Sequence, residues 1–365
     1  MKKFAKYLLS LSLPMTLFSM TSCENGGPLF DDEGDCTTKI QFVYKKHRQA
    51  LQQQPGKETD AFYATVPSVH LFIYDKESGE LVFEKIEKTD NLKSESDLKL
   101  GTGTDKCFLP VDLPAGKYRL VVWGGLDEND HNNAFQLIEG TRAGYSHCLV
   151  KKNESTGHPV NHEKYEGLYH GNVDEAEITV SKMGKQVIPV ELTKNTNDIS
   201  VWVQHTTATF DDGDYSVVYT DKNGTIKFED NALNSDDILE YNPHFTNILT
   251  SDSEYNGEKV ETGALIAHLS TSRLMTDNAE DARLEVRDKD GNTVYSLPFI
   301  KYLMNMQTYT SDHQYYLDCE DTYNCTFYLT GADLESETGT WIPLQIIINN
   351  WTLVPQQNGG MSGND

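Results

Sequence analysis

The sequence is poor in positive charge. Its 31 lysines and arginines stand against 56 aspartates and glutamates, so the formal net charge of the 365 residues is −25. A chain this acidic is repelled by nucleic acid and by anionic lipid head groups, which excludes nucleic acid as an expected partner. Hydrophobic residues still make up 38% of the chain, with 19 tyrosines and 14 phenylalanines, which is enough to build folded cores.

Motifs of enzyme chemistry are absent. The sequence contains no GxSxG, no HExxH, no Walker loop and no dinucleotide fingerprint. Residues 101–106 look like a phosphate loop but lack its GK[ST] ending, so a surface loop is the better interpretation. His158, His162 and His170 share one polar stretch, but no helix sets them at the spacing of metal ligands. We therefore expect no enzyme, and no catalytic residue, metal site, cofactor or small-molecule substrate.

Cysteine is scarce, and no CxxC pair occurs among the six cysteines, which argues against a zinc knuckle or a thioredoxin-like site. Five cysteines follow Cys23. This odd number leaves at least one free thiol if no partner chain supplies another. Cys319 and Cys325 are the closest pair and the first choice for a disulfide. The sequence leaves the pairing of the other three open: Cys36, Cys107 and Cys148.

Long apolar runs are missing, except for a short one at the N-terminus. Three lysines precede a mostly apolar run, residues 7–20, and the small Thr21 and Ser22 then lead to Cys23. A basic start, a short apolar core and small residues before a cut site are typical of a secretory signal. The following cysteine resembles the lipobox of bacterial lipoproteins. We expect residues 1–22 to be a signal peptide and Cys23 to be lipidated; an ordinary signal with an incidental cysteine is the alternative.

Helical periodicity is rare, whereas alternation of apolar and polar residues recurs along the chain. Ile40, Phe42 and Tyr44 share one face of a first predicted strand, and residues 68–74 and 81–83 form a predicted hairpin. Short strands between turns rich in glycine, aspartate and asparagine favour β-sandwiches. Further strands are predicted over residues 118–124, 187–192, 199–203, 264–274, 283–286, 293–297, 325–329 and 342–353.

The polar stretch 194–198 is the best candidate for a domain boundary. We expect helix or irregular structure mainly over residues 235–250. Arg48 falls in a polar loop after the first strand and would be open to a trypsin-like protease. The predicted segments are an acidic flexible tether (23–35), an N-terminal sandwich (36–193), a C-terminal sandwich (197–354) and a disordered tail (355–365).

Motifs from both halves together resemble one family. They are LPAGKY at 113–118, VWG at 122–124, LTKNTNDI at 192–199, LEVRD at 284–288, YLD at 316–318 and IIINNW at 346–351. In order and spacing they resemble the FimB-type fimbrial anchoring subunits of Bacteroidales, over essentially the whole mature chain. Acidic residues 31–33 also resemble the signal that exports Bacteroidales lipoproteins to the cell surface, although a plain flexible spacer explains them as well.

The resemblance implies an all-β fold of two tandem transthyretin-like Greek-key β-sandwiches. It implies lipid attachment to the outer membrane through Cys23, with fimbrial shaft subunits as partners. Shaft subunits of such pili are also made as lipoproteins; a protease removes their first strand, and a neighbour's C-terminal strand fills the groove. An anchor keeps its lipid and its first strand, so the fimbria stays tied to the membrane and polymerisation stops.

The residues favour an anchor over a shaft subunit. The strand that carries Ile40 and Phe42 looks like an ordinary first strand, and the tail 355–365 lacks the alternating apolar residues of a donated strand. A shaft or tip subunit matured by proteolysis, with a new start after Arg48, is one alternative. The other is a surface lipoprotein that binds glycans or host ligands.

Overall fold

The computed structural model describes the part of the chain that carries the predicted strands. The signal peptide (1–22), Cys23, the tether and the tail 355–365 lie outside it, so the predictions on them stay predictions. The described residues are 38–96, 105–138, 147–179, 186–205, 209, 211–227, 238–255, 258–306, 312–331, 341–349 and 351–353.

Strands dominate the first half of the described chain, with one short α-helix, α1 (Phe62–Thr65), and 3₁₀ turns over Arg48–Gln52 and Thr89–Asn91. The strands are β1 (Thr38–Val43), β2 (Ser68–Asp75), β3 (Leu81–Lys88), β4 (Lys93–Ser96), β5 (Asp105–Val111), β6 (Gly116–Gly124), β7 (Phe135–Ile138), β8 (His147–Val150), β9 (Tyr169–Ile178), β10 (Val187–Glu191) and β11 (Thr193–Lys194).

The second half contains two longer helices, α2 (Phe299–Met306) and α3 (His313–Cys319), and a 3₁₀ turn over Thr276–Asn278. Its strands are β12 (Thr196–His205), β13 (Tyr215–Asp221), β14 (Thr225–Lys227), β15 (Leu239–Tyr241), β16 (Phe245–Tyr255), β17 (Glu258–Ser272), β18 (Arg283–Asp288), β19 (Thr293–Leu297), β20 (Thr322–Gly331), β21 (Trp341–Ile348) and β22 (Trp351–Leu353).

Two sheets of the first half pack around one hydrophobic core. One has the strand order β10-β1-β5-β4 and the other β11-β9-β6-β2-β3. Alternate residues of each central strand point inward, as the period of two requires: Ile40 and Phe42 on β1, Leu71 on β2, and Leu120 and Val122 on β6. These two sheets therefore form a β-sandwich in which β1 is an internal strand.

Two sheets of the second half enclose a larger core. Their strand orders are β16-β17-β12-β20-β21-β22 and β15-β13-β18-β19. Val201 of β12 and Val286 of β18 face this core from the two sheets. Helix α2 contributes Phe299, whose ring meets Tyr219 and Tyr323 edge-on at centroid distances of 5.8 and 5.5 Å. Aromatic pairs in this geometry add to the stability that burial provides.

A fifth sheet joins the two halves of the chain. It has the order β14-β8-β7, and β14 pairs with β8 through Thr225↔Leu149 and Ile226↔Cys148. The larger core also takes in Phe72 and Trp123 from the first half. The two predicted domains, 36–193 and 197–354, stay a prediction, since strands from both ranges share a sheet and a core.

The prediction of an all-β fold is confirmed, and its transthyretin-like detail stays a prediction. Helix or irregular structure over residues 235–250 is wrong within the described residues, because β15 and most of β16 lie there and pair with β13 and β17. Pairing across the sheet outweighs the weak strand propensity of this polar stretch. The segment 342–353 is two strands with a turn at Asn349, whose φ of 45° asparagine tolerates better than most residues.

Candidate functional site at the first strand

Strand β1 lies inside its sheet rather than at an edge. It pairs in parallel with β10 and antiparallel with β5, so its backbone is hydrogen-bonded along both sides. Ile40 and Phe42 are fully buried, and the ring of Phe42 stacks on Phe62 of α1 at 5.5 Å. The predicted apolar face of Ile40, Phe42 and Tyr44 is confirmed. Removal of β1 would open a groove between β10 and β5.

The segment after β1, residues 44–61, is called the β1–α1 loop here, and its two ends are tied together. The amide of Ala61 donates to the Tyr44 carbonyl at 2.8 Å. The Asp60 carboxylate accepts from the amides of Tyr44 and Phe62 at 2.9 and 3.0 Å. Burial raises the pKa of Asp60, and the two amide hydrogen bonds oppose that shift. The two ends of the loop are therefore bound to the same partly buried carboxylate.

The β1–α1 loop packs against α3. A cavity of about 320 Å³ lies between the loop and α3. It is lined by Ala50, Leu51, Gln53, Pro55, Glu58, Tyr315 and Tyr316. Arg48 begins the 3₁₀ turn of this loop, and 54% of its side chain is exposed. Its Nε lies 3.5 Å from Glu320 Oε2. The sequence predicts that Arg48 lies in an open polar loop. In the structure Arg48 lies in a 3₁₀ turn and has Glu320 as an acidic partner. Cleavage after Arg48 stays a prediction.

Opposite charges line the contact between the first-strand region and the end of α3. Lys46 Nζ lies 3.6 Å from Asp318 Oδ2, Arg48 pairs with Glu320, and Lys194 pairs with Asp321. We call these six residues the charged junction. Burial raises the pKa of Glu320, and the nearby charge of Arg48 opposes the shift. All three cations come from the first half and all three anions from the second, so the junction consists of contacts between the halves.

A buried ion pair fixes the acidic side of the charged junction. Arg273 Nε donates to Asp318 Oδ1 at 2.8 Å and its Nη2 to Oδ2 at 2.7 Å, in the bidentate geometry that arginine offers a carboxylate. Both side chains are only 3% exposed. Gln314 of α3 donates to the same carboxylate at 2.9 Å and to the Leu274 carbonyl at 3.1 Å. Arg273 and Gln314 therefore fix the position of the Asp318 carboxylate, which also contacts Lys46.

The predicted disulfide between Cys319 and Cys325 is not formed, and this corrects the sequence-based choice. Both residues carry buried thiols. Cys319 ends α3 and interacts with Tyr315, whereas Cys325 faces the larger core near Tyr302. The two thiols point into different surroundings although only five residues separate them in sequence. Burial raises the pKa of Cys319 to about 12 and raises that of Cys325 as well, so both lack the thiolate that a nucleophile needs.

The sequence assigns no disulfide partner to the other three cysteines. Cys107 is a buried thiol in β5 and belongs to the smaller core. Cys148 lies in β8, and Cys36 lies outside the described residues. A disulfide between Cys36 and Cys148 therefore stays open.

The histidines of the polar stretch are not brought together. His158 Nε2 lies 3.8 Å from Glu240, whereas His170 accepts a hydrogen bond from Asn195 Nδ2 at 2.8 Å inside the protein. Across the ranges that the structure describes, no three metal-binding side chains converge. No helix in those ranges is both long enough and apolar enough to span a bilayer.

Sequence reasoning missed the charged junction and its buried pair. The local signal was three acidic residues around Cys319, directly after the apolar residues of α3. Their partners Lys46 and Arg48 stand about 270 positions earlier, and only the fold brings the two groups together. Arg273, at the end of β17, gave no local signal at all.

Comparison with known proteins identifies the family. The family model described as fimbrillin-A associated anchor proteins Mfa1 and Mfa2 matches residues 32–357. No curated protein matches the chain. Among solved structures, a candidate adhesin from Bacteroides thetaiotaomicron VPI-5482 is 26% identical, with a TM-score of 0.64 over 88% of this chain and 99% of that one.

Two further structures share the fold. A candidate polysaccharide-binding protein from the same strain has 23% identity and a TM-score of 0.65, over 88% of this chain and 99% of that one. The fimbrial anchor protein Mfa2 from Porphyromonas gingivalis has 16% identity and a TM-score of 0.57, over 88% of this chain and 100% of the Mfa2 chain. Because the family model covers most of the sequence, the chain belongs to the family of fimbrillin-A associated anchor proteins Mfa1 and Mfa2.

Proposed function

We propose that this chain is a non-enzymatic lipoprotein that anchors fimbriae to the outer membrane and ends their growth. Family membership supports a role in fimbriae. The observation that carries the anchor role is the placement of β1, which is hydrogen-bonded on both sides and followed by a loop held on α3. The first strand is thus built into the fold, and whatever is attached ahead of it stays attached to the folded protein.

Lipidated Cys23 supplies the membrane attachment in this proposal. Fourteen residues, 24–37, separate it from the start of β1. A fully extended segment of this length spans about 50 Å. A pull on the fimbria would load the hydrogen bonds of β1 with β10 and β5, and a strand paired on both sides resists such a load better than an edge strand. The acyl chains add about 0.8 kcal/mol of membrane binding per buried methylene.

The last described strands also favour an anchor over a subunit that donates a strand. β21 pairs with β20 and turns at Asn349 into β22, which pairs back through Ile346↔Leu353 and Ile348↔Trp351. Asn349 secures this turn, because its side chain accepts from the Asn324 amide at 2.8 Å and donates to the Thr322 carbonyl at 3.1 Å. The strands up to Leu353 therefore pair with other strands of this same chain.

Replacement of Cys23 tests this function. In cells that carry a chain with Cys23→Ser behind an ordinary cleavable signal peptide, we expect both the protein and long fimbriae in the medium, because no acyl chain holds them. Asn25→Ser in the same tether is the matched control and should leave both on the cell. The measurement is the ratio of released to cell-bound fimbriae, together with the length of the fimbriae. Fimbriae of normal length that stay on Cys23→Ser cells would refute the anchor role.

A further inference from the structure

Strand β16 forms an edge of the six-stranded sheet. It pairs with β17 along its full length, from Phe245↔His268 to Tyr255↔Glu258, and no described strand lies on its other side. β12 pairs only with residues 264–272 of β17, so the outer part of the β16–β17 hairpin extends past the sheet. About six residue pairs extend in this way, which corresponds to roughly 20 Å. Along β16, alternate backbone N–H and C=O groups face outward.

The other edges in the described part of the chain are protected, and β16 is not. Exposed edge strands in proteins are usually short, or carry lysine or proline that blocks pairing with another chain. β3 has Lys85 and Lys88, β10 has Pro189, and β4, β7, β11, β14, β15, β19 and β22 have five residues or fewer. β16 has eleven residues without lysine, arginine or proline, and its two charged residues, Asp252 and Glu254, lie at its outer end. The seven uncharged residues 245–251 form an edge of the kind that accepts a further strand.

The sheet face beside this edge is apolar and exposed. Phe245 and Leu249 on β16 are 47% and 44% exposed, and Trp202 on β12 is 40% exposed. The register Trp202↔Ile266↔Asn247 places all of these side chains on the face that points away from the core. An added strand along β16 would set every second side chain beside Phe245 and Leu249, which gives both a hydrogen-bond ladder and apolar burial.

The outer end of the hairpin is acidic. Asp252 and Glu254 on β16 and Glu261 on β17 are exposed there, against one exposed cation, Lys259. Asp252 and Glu261 are direct cross-strand partners, and like charges directly opposite each other are unfavourable, whereas Glu254 lies opposite Lys259. A neighbouring strand with lysine or arginine at this end would relieve the repulsion.

We propose that β16 is the docking edge for the basal fimbrial subunit, which adds an extended segment as a seventh strand of this sheet. This inference rests on the proposed function and names its binding surface. The segment carries alternating apolar residues opposite Phe245 and Leu249 and a basic residue opposite Asp252. A second copy of this chain fits less well, because its β16 offers no cation and its net charge repels. A glycan could stack on Trp202, but it leaves the row of backbone groups unpaired.

Lysines placed on the edge provide the test, in fimbriated cells that express the full lipidated chain. The variant is Asn247→Lys with Leu249→Lys, and the matched control is Val82→Lys on the already protected edge strand β3. We expect the double variant to stay in the outer membrane while cell-bound fimbriae fall by roughly tenfold, the change that about 1.4 kcal/mol of lost binding produces. The Val82→Lys chain should retain its fimbriae.

Photo-crosslinking identifies the occupant. A photoreactive phenylalanine analogue at Asn247 should crosslink to a fimbrial subunit, whereas the same group at the exposed Lys301 of α2 should not. Fimbriae that stay on the cell in the double variant, or a crosslink from Asn247 only to a second copy or to a glycan, would overturn the inference. The anchor role would survive that result if Cys23→Ser still releases fimbriae, so the two proposals fail separately.

Discussion

Replacing Asp318 with alanine is expected to cost about 3–5 kcal/mol of the free energy of unfolding, because one partner of a buried ion pair is removed. Arg273 would keep its charge at a site that is 3% exposed, and Gln314 would lose its acceptor. Lys46 would lose the anion that it meets from the β1–α1 loop. Urea unfolding of the purified chain produced without its signal peptide and lipid, followed by tryptophan fluorescence, measures this change.

A surface ion pair is the control for Asp318→Ala. Lys301 and Glu280 lie 2.9 Å apart with both side chains more than half exposed, so Glu280→Ala should cost less than about 1 kcal/mol. Replacing both members of the buried pair, Arg273→Met with Asp318→Leu, should recover much of the loss, since neither member is left behind as a fully buried, unpaired charge. Equal stabilities of Asp318→Ala and Glu280→Ala would show that the buried pair does not hold the junction.

Replacing Phe42 with alanine is the second large expected effect, at about 3–5 kcal/mol. Phe42 is fully buried near the end of β1 and stacks on Phe62, so its loss leaves a cavity between the sheet and α1. Denaturant unfolding measures the loss. Proteolysis under native conditions should also release β1 faster, because the strand loses its main apolar contact.

Gln41 offers a matched control within β1. Its side chain points to the opposite face of the strand and is partly exposed, so Gln41→Ala should change stability by less than about 0.5 kcal/mol. If Phe42→Ala and Gln41→Ala changed the free energy of unfolding equally little, β1 would contribute little to the stability of the fold. The stability of the fold would then give no reason for β1 to be retained in the mature protein.

Much of the strand structure could be predicted from local patterns. Alternation placed Ile40 and Phe42 on a buried face, and turn residues marked the hairpin of β2 and β3. These features depend on a few neighbouring residues, for which sequence periodicity is sufficient. The same reasoning failed over residues 235–250, where pairing with β17 decides the structure and the local residues do not.

The functional surfaces depend on contacts that are distant in sequence. Lys46 meets Asp318, and β14 pairs with β8 across the predicted domain boundary. Cys319 and Cys325, close in sequence, point apart because one ends a helix and the other faces a core. The unprotected edge of β16 becomes visible only when the order of strands in the sheet is known.

The N-terminus of the mature protein tests the central claim most directly. Mass spectrometry of the chain purified from outer membranes should find an N-terminal peptide that begins at an acylated Cys23 and runs on into β1. That result would show that lipid and first strand are retained together. A mature chain that begins at Gln49, after cleavage at Arg48, would have lost both, and the protein would then be a processed fimbrial subunit instead of an anchor.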